Sequence, residues 1–293
     1  EIPQGDWSSD VCSSDLSYPA VFDDLCKKAS DVLNDDYFVG SKMTMKVKNI
    51  KGMSLTAEAK ATEGKPVVSK ISGDFAPCAH CNFKKLCVDN MGAMVADVDV
   101  TKLIRNTTFT IRTQKNLCDN GIAKAAVGAK VMTESVAFDT SFDMASQRYN
   151  AGLVYGYKGA RVGLKVRGDC SSKPMVDMGA SYAFEKVMVS CVGYNLAKSA
   201  DVSVFYAANE KTRVGCMCKV RDLKSVPEVC VGVASKVAEN TELRGKASSS
   251  GVVSGCFKTT VDGKMTFSGC LSVDCKNLSA ENNRVGFGVE YLF

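Results

Sequence analysis

From near residue 40 to its end, the chain repeats one pattern: about ten residues of alternating apolar and polar side chains, then a short turn signal. Met43, Met45 and Val47 alternate with Thr44, Lys46 and Lys48. Phe109 and Ile111 alternate with Thr108, Thr110 and Arg112, and Val162, Leu164 and Val166 with Arg161, Gly163, Lys165 and Arg167. Val214, Cys216 and Cys218 alternate with Arg213, Gly215, Met217 and Lys219; Val285, Phe287, Val289 and Tyr291 alternate with Gly286, Gly288 and Glu290. A period of two puts one set of side chains on each face of a β-strand. The turn signals are Asn49-Ile50-Lys51-Gly52, Asp119-Asn120-Gly121, Lys158-Gly159, Asp262-Gly263 and Ala280-Glu281-Asn282-Asn283. They divide the chain into roughly nineteen strand-length segments.

Such strands need a dry partner for one face and water for the other. In a soluble β-sandwich the apolar faces meet each other; in a membrane barrel they meet lipid while the polar faces line a lumen. About nineteen hairpin-linked strands are too many for one sandwich. The apolar face is a thin mixture of Val, Met, Ala, Cys and Phe, which lipid tolerates because it imposes no jigsaw packing. Closure also satisfies every backbone donor and acceptor, as hydrocarbon demands. These arguments favour an all-β, single-domain barrel over the sandwich. No apolar run reaches the ~18 residues of a transmembrane helix, and no helical segments alternate with the strands as an α/β fold requires.

One helix precedes the strands. Pro19 suits a helix start, and Val21, Phe22, Leu25, Ala29, Val32 and Leu33 recur at helical spacing over residues 21–34. Asp23 and Asp24 come first, Lys27 and Lys28 later, the charge order that a helix dipole favours. Residues 1–16, with Asp6 to Leu16 reading DWSSDVCSSDL, match the translation of a sequencing-library adapter and are expected to be foreign to the fold. Without them the chain loses four acids and no base, so its formal charge rises from +5 to +9. The expected organisation is residues 17–36 as helix and 37–293 as barrel. No apolar leader follows residue 16, and the scattered thiols suggest a reducing compartment.

Chemistry-bearing clusters are few. Cys78, His80, Cys81 and Cys87 have zinc-ligand chemistry, but strand alternation separates their side chains, so no metal site is expected. Cys216 and Cys218 share a strand face and read as wall residues. Gly152, Gly156 and Gly159 form a lone glycine pattern among strands, not a phosphate loop. With a single His, no catalytic triad can be assembled, and no enzymatic activity or cofactor is expected.

Three stretches carry a family resemblance. YPAVFDDLCKKASDVLNDDYFVGSKMTMKVKNIKGMSLTAEAKA at the start, AGLVYGYKGARVG from Ala151, and LSVDCKNLSAENNRVGFGVEYLF at the end are similar to the helix, central motif and terminal β-signal of the mitochondrial porins, the voltage-dependent anion channels. The three occur in the family's order and spacing. The resemblance implies a nineteen-stranded barrel in the mitochondrial outer membrane with the helix inside the pore. This family is itself the known odd-stranded barrel, so the strand count is no independent finding. First and last strands would close in parallel, at about 39–48 and 283–292.

The implied function is voltage-dependent, anion-preferring diffusion of ATP, ADP, phosphate and organic acids. Lumen candidates on the polar faces are Lys42, Lys46, Lys48, Arg112, Arg161, Lys165, Arg167, Arg213 and Lys219, which would raise local anion concentration. Val21, Leu25, Val32 and Leu33 would dock a gating helix on the wall, with Lys27 and Lys28 toward the lumen. The family's glycine-rich hinge is reduced here to Gly40, and Gly286, Gly288, Val289 and Tyr291 form the terminal β-signal. The family's lipid-facing glutamate has no counterpart near Lys84 and Lys85, so properties tied to it do not carry over. Implied partners are membrane lipid and the transiting adenine nucleotides and anions, with homo-oligomerisation left open and no nucleic acid. A protein-import pore of the same superfamily and a soluble β-rich binding protein are the alternatives.

Overall fold

A computed structural model describes residues 19–50, 53–116, 124–222, 225–278 and 283–293, with only the backbone of 48–50. The suspected adapter segment, the Asp119-Asn120-Gly121 turn and the Lys48 side chain lie outside the described residues.

The strands are β1 (Gly40–Ile50), β2 (Met53–Ala61), β3 (Val68–Phe75), β4 (Cys81–Asp89), β5 (Ala93–Thr101) and β6 (Thr107–Asn116). They continue as β7 (Lys124–Met132), β8 (Val136–Asp143), β9 (Arg148–Tyr157), β10 (Ala160–Asp169), β11 (Met175–Phe184), β12 (Val187–Tyr194) and β13 (Ser199–Ala207). The last are β14 (Thr212–Val220), β15 (Glu228–Ala238), β16 (Thr241–Ser248), β17 (Val252–Val261), β18 (Met265–Asp274) and β19 (Arg284–Leu292). Each pairs antiparallel with the next, and β19 closes on β1 in parallel, from Gly40 opposite Gly286 to Lys46 opposite Leu292. An odd number of alternating strands allows no other closure. The sheet therefore seals upon itself, as the sequence predicts, and the sandwich does not form. Strands of eight to eleven residues match the ~9–11 needed to cross a bilayer when tilted.

Register assigns each face. On β9, β10 and β11, Leu153, Leu164 and Met178 lie side by side and are exposed, as are Tyr155, Val162 and Tyr182 nearby. Met43, Ile71, Val231 and Phe287 continue this exposed apolar band around the barrel. So broad a band exceeds the few hundred Å² that a soluble monomer exposes; hydrocarbon is its natural solvent. Among the described residues, the outward register holds no carboxylate and one base, Lys115, next to the end of β6. Cys216 and Cys218 face outward opposite Val231 and Val229, as wall residues do. Cys81 points outward and Cys87 inward, because a bulge between Phe83 and Lys85 shifts the register of β4. No group of three metal-capable side chains occurs among the described residues.

The buried core lies inside the barrel, under the N-terminal segment. That segment is not one helix over 21–34. It forms a 3-10 turn, Phe22–Asp24, then α1, Lys27–Asn34. The 3-10 turn stacks Phe22 directly above Leu25, since side chains three apart eclipse there. The stripe then continues through Ala29, Val32 and Leu33, each no more than 3% exposed. One half packs on Ala137, Val154 and Val192, the other on Met188, Phe205, Ala207 and Ala234.

What admits the helix is missing volume on the wall. Lumen-facing Gly163, Gly179, Gly215 and Gly232 lie beneath it on four strands. A Cβ at Gly179 would sit 2.7 Å from Leu25 Cδ1, and one at Gly232 would sit 2.8 Å from Leu33 Cδ2.

Candidate pore lining and helix latch

Lys42 and Lys46 project inward beside Thr44, while Met43 and Met45 project outward. Lys42 Nζ lies 3.4 Å from Glu58 on β2, and Lys70 reaches the same carboxylate at 3.0 Å; Lys46 meets Glu290 on β19 at 2.7 Å. Arg112 on β6 is 3.7 Å from Asp97 on β5, and Arg167 on β10 is 2.7 Å from buried Asp177 on β11. Arg161 faces the lumen in register with Ser181 and is 8% exposed. Arg213 on β14 lies 3.7 Å from Glu242 on β16. Lys219 faces inward opposite Glu228 and lines a recess of about 290 Å³ with Leu33, Met217 and Lys246. The cations predicted from alternation, Lys48 apart, thus share the inward register, but most are partnered by carboxylates rather than presented bare to the pore.

Lys165 has a different role. Its ammonium holds both carboxylate oxygens of Asp23, at 2.6 and 2.7 Å, tying the 3-10 turn to β10. Leu25, Val32 and Leu33 dock on the wall, and Val21 packs beside Phe22. Lys27 is exposed and lies 3.5 Å from Asp24; Lys28 is half-buried.

At the other end of α1 stands a latch that alternation alone did not single out. Arg244 on β16 donates to the carbonyls of Asp31 and Asp35 at 3.2 and 3.3 Å and meets the Asp36 carboxylate at 3.1 Å and Glu242 at 2.8 Å. Lys246 donates to the Leu33 carbonyl at 2.8 Å and sits 4.1 Å over the Tyr37 ring. Lys258 on β17 adds a contact to Asp36 at 3.5 Å. Cations there satisfy the orphan carbonyls of a helix end and meet the negative pole of its dipole. Burial pushes the Asp31 carboxyl up, with Asp35 adding to the shift, and pushes the Tyr37 phenol up to about 12. The signal was present in Glu242, Arg244 and Lys246, which alternate with Leu243, Gly245 and Ala247.

The linker between α1 and β1 turns at two left-handed residues, Asp36 (φ 64) and Gly40 (φ 86). A Cβ at Gly40 would collide with the Ala61 carbonyl, so this glycine is required where the linker enters β1. Gly286 and Gly288 face inward and leave room for Phe38: a Cβ at either would press on its carbonyl or ring. Val289 and Tyr291 lie in the outward register.

Against this geometry, the sequence profile of the family described as "Eukaryotic porin" matches residues 18–286. The chain belongs to the eukaryotic porin family. No curated protein matches it. Among solved structures, this porin resembles several engineered mutants of the Rhodopseudomonas blastica porin, a triple mutant among them. Each has a TM-score of 0.51 at 11% identity over 80% of this chain and 96% of that chain. A structure described as "Asymmetric conductivity of engineered proteins" matches to the same extent. At that identity the likeness is one of fold. Family and barrel together make the protein an outer-membrane pore for diffusion of small solutes, a channel rather than an enzyme.

Proposed function

We propose that this porin is a voltage-responsive, anion-preferring channel of the mitochondrial outer membrane that passes ATP, ADP, phosphate and organic acids. The supporting observation is the local charge balance of the inward face. Lys42 and Lys70 share one carboxylate, Glu58. Arg213, Arg244 and Lys258 meet Glu242 and Asp36, and Asp31 and Asp35 of the docked segment lie close to the same arginines, so that group is balanced. The Lys42 and Lys70 group keeps a positive surplus, which attracts anions and repels cations along a water-filled path. Because most of the other predicted cations are paired and the pore is wet, screening makes this a preference rather than exclusion. The docked segment carries Asp23, Asp24, Asp31, Asp35 and Asp36 against Lys27 and Lys28. A membrane potential therefore acts on a net negative body held by ion pairs at both ends, and its displacement would alter both bore and charge.

Purified protein in planar bilayers under a tenfold KCl gradient is the test. The expected result is a reversal potential favouring chloride, with conductance falling at higher voltage of either sign. The double variant K42E/K70E should move the reversal potential toward potassium. A reversal potential at zero or on the potassium side in the native protein would overturn the reading.

A further inference from the structure

The linker rests on two thiols. Cys256 on β17 and Cys270 on β18 are directly opposite in register and both face inward. Their sulfurs are 3.0 Å apart, and each donates to the same acceptor, the Asp36 carbonyl, at 3.1 and 3.0 Å. Flanking strands complete the seat: Arg244 lies across from Cys256, and Gly286, across from Cys270, leaves room for Phe38 to pass over. The pair is 6% and 8% exposed, roofed by the linker itself.

Opposed residues of an antiparallel pair lie at Cα separations of roughly 4.5–5.5 Å, inside the range a disulfide spans. The sulfurs need approach by only about 1 Å to reach bonding distance. We propose that Cys256 and Cys270 are a reversible oxidation site, taking a small disulfide of the glutathione class, and that their oxidation releases the linker. One thiol gives its proton to water, and its thiolate attacks a sulfur of oxidised glutathione; the glutathione S–S bond breaks and one glutathione thiolate leaves. The second cysteine, deprotonated in turn, displaces the other glutathione and closes the protein S–S bond. Two electrons pass to glutathione, giving two reduced molecules. The product has no S–H, so the Asp36 carbonyl loses both donors at once. Since the linker covers the thiols, oxidation proceeds faster when the linker lifts, and the disulfide then holds it off its seat.

The site stands independently of ion selectivity and of gating. The full chain in liposomes is incubated with oxidised glutathione, then assayed by peptide mass and by amide hydrogen exchange. The expected result is a cross-linked Cys256–Cys270 peptide pair two hydrogens lighter, with severalfold faster exchange across residues 33–38. Dithiothreitol should reverse both, and C256S and C270S should show neither. Two variants are used because each keeps a hydroxyl donor for Asp36, and either one folding suffices. Free thiols, or separate glutathione adducts without the cross-link, overturn the proposal; so does a cross-link that leaves exchange across the linker unchanged. Conductance of the same sample addresses the gate: a cross-linked, loosened linker with unaltered conductance would sink the gating role and uphold the oxidation site.

Discussion

Arg244 shows how much one side chain can hold. Its side chain is 6% exposed and serves four acceptors, two helix-end carbonyls and two carboxylates. Hydrogen bonds to charged groups contribute about 1.5–3 kcal/mol each net. Arg244→Gln should therefore loosen the C-terminal end of α1 by roughly 1–3 kcal/mol. Amide exchange across residues 30–36 would rise about fivefold or more while barrel strands stay protected. Unchanged exchange would mean that packing alone docks the helix. Sequence analysis did not single out Arg244, and the alternation around it cannot say that a helix end, more than two hundred residues earlier in the chain, lies over it. Lys165 is similar: alternation marks it as inward, while its bond to Asp23 depends on where the N-terminal segment comes to rest.

At the scale of elements, the helix and its seat are complementary volumes. An apolar stripe at three- and four-residue spacing was legible from residues 21–34, and Leu25, Val32 and Leu33 are buried as that stripe requires. The break after Asp24 was not legible, because the 3-10 turn is stabilised by where Phe22 and Leu25 must both point. Nor was the glycine track, since Gly163, Gly179, Gly215 and Gly232 read as gaps in separate strands until the sheet aligns them. Gly215→Val places a branched side chain where even a Cβ would lie 3.0 Å from the Ala29 carbonyl and 3.1 Å from Val32 Cβ. Such overpacking costs roughly 1–3 kcal/mol. Gly245→Val is the matched control, for it faces outward with nothing within 4 Å of a Cβ. The first should lift α1, seen as deprotection of residues 27–34; the second should not.

For the whole molecule, the decisive property is that the inside is wet and the outside dry. Leu164 lies mid-strand on the outer face, between Leu153 and Met178. Leu164→Arg should cost about 2–4 kcal/mol in urea unfolding from liposomes, the cost of a base at the bilayer midplane. Ala126→Arg puts the same base on the inner face of β7 between Asp143 on β8 and Arg112 on β6, where the opposed neighbours offset and the expected change is within about 1 kcal/mol. Equal costs at the two sites would contradict the inward and outward assignment. Closure itself is consistent with strand number and with an outward register that, among the described residues, carries Lys115 as its one charge; both can be read along the chain.

Strand identity and facing are local consequences of a two-residue period, because successive side chains on any strand must point to opposite sides whatever the strand meets. That much the amino-acid order determined alone, together with the apolar stripe of the helix. The tertiary structure decided which cations would be neutralised, where the helix would lie, and that Arg244, Lys258 and the Cys256–Cys270 pair would converge on Asp36. Those are distances between segments far apart in the chain, and they come into being only when a closed wall folds around its own N-terminal segment.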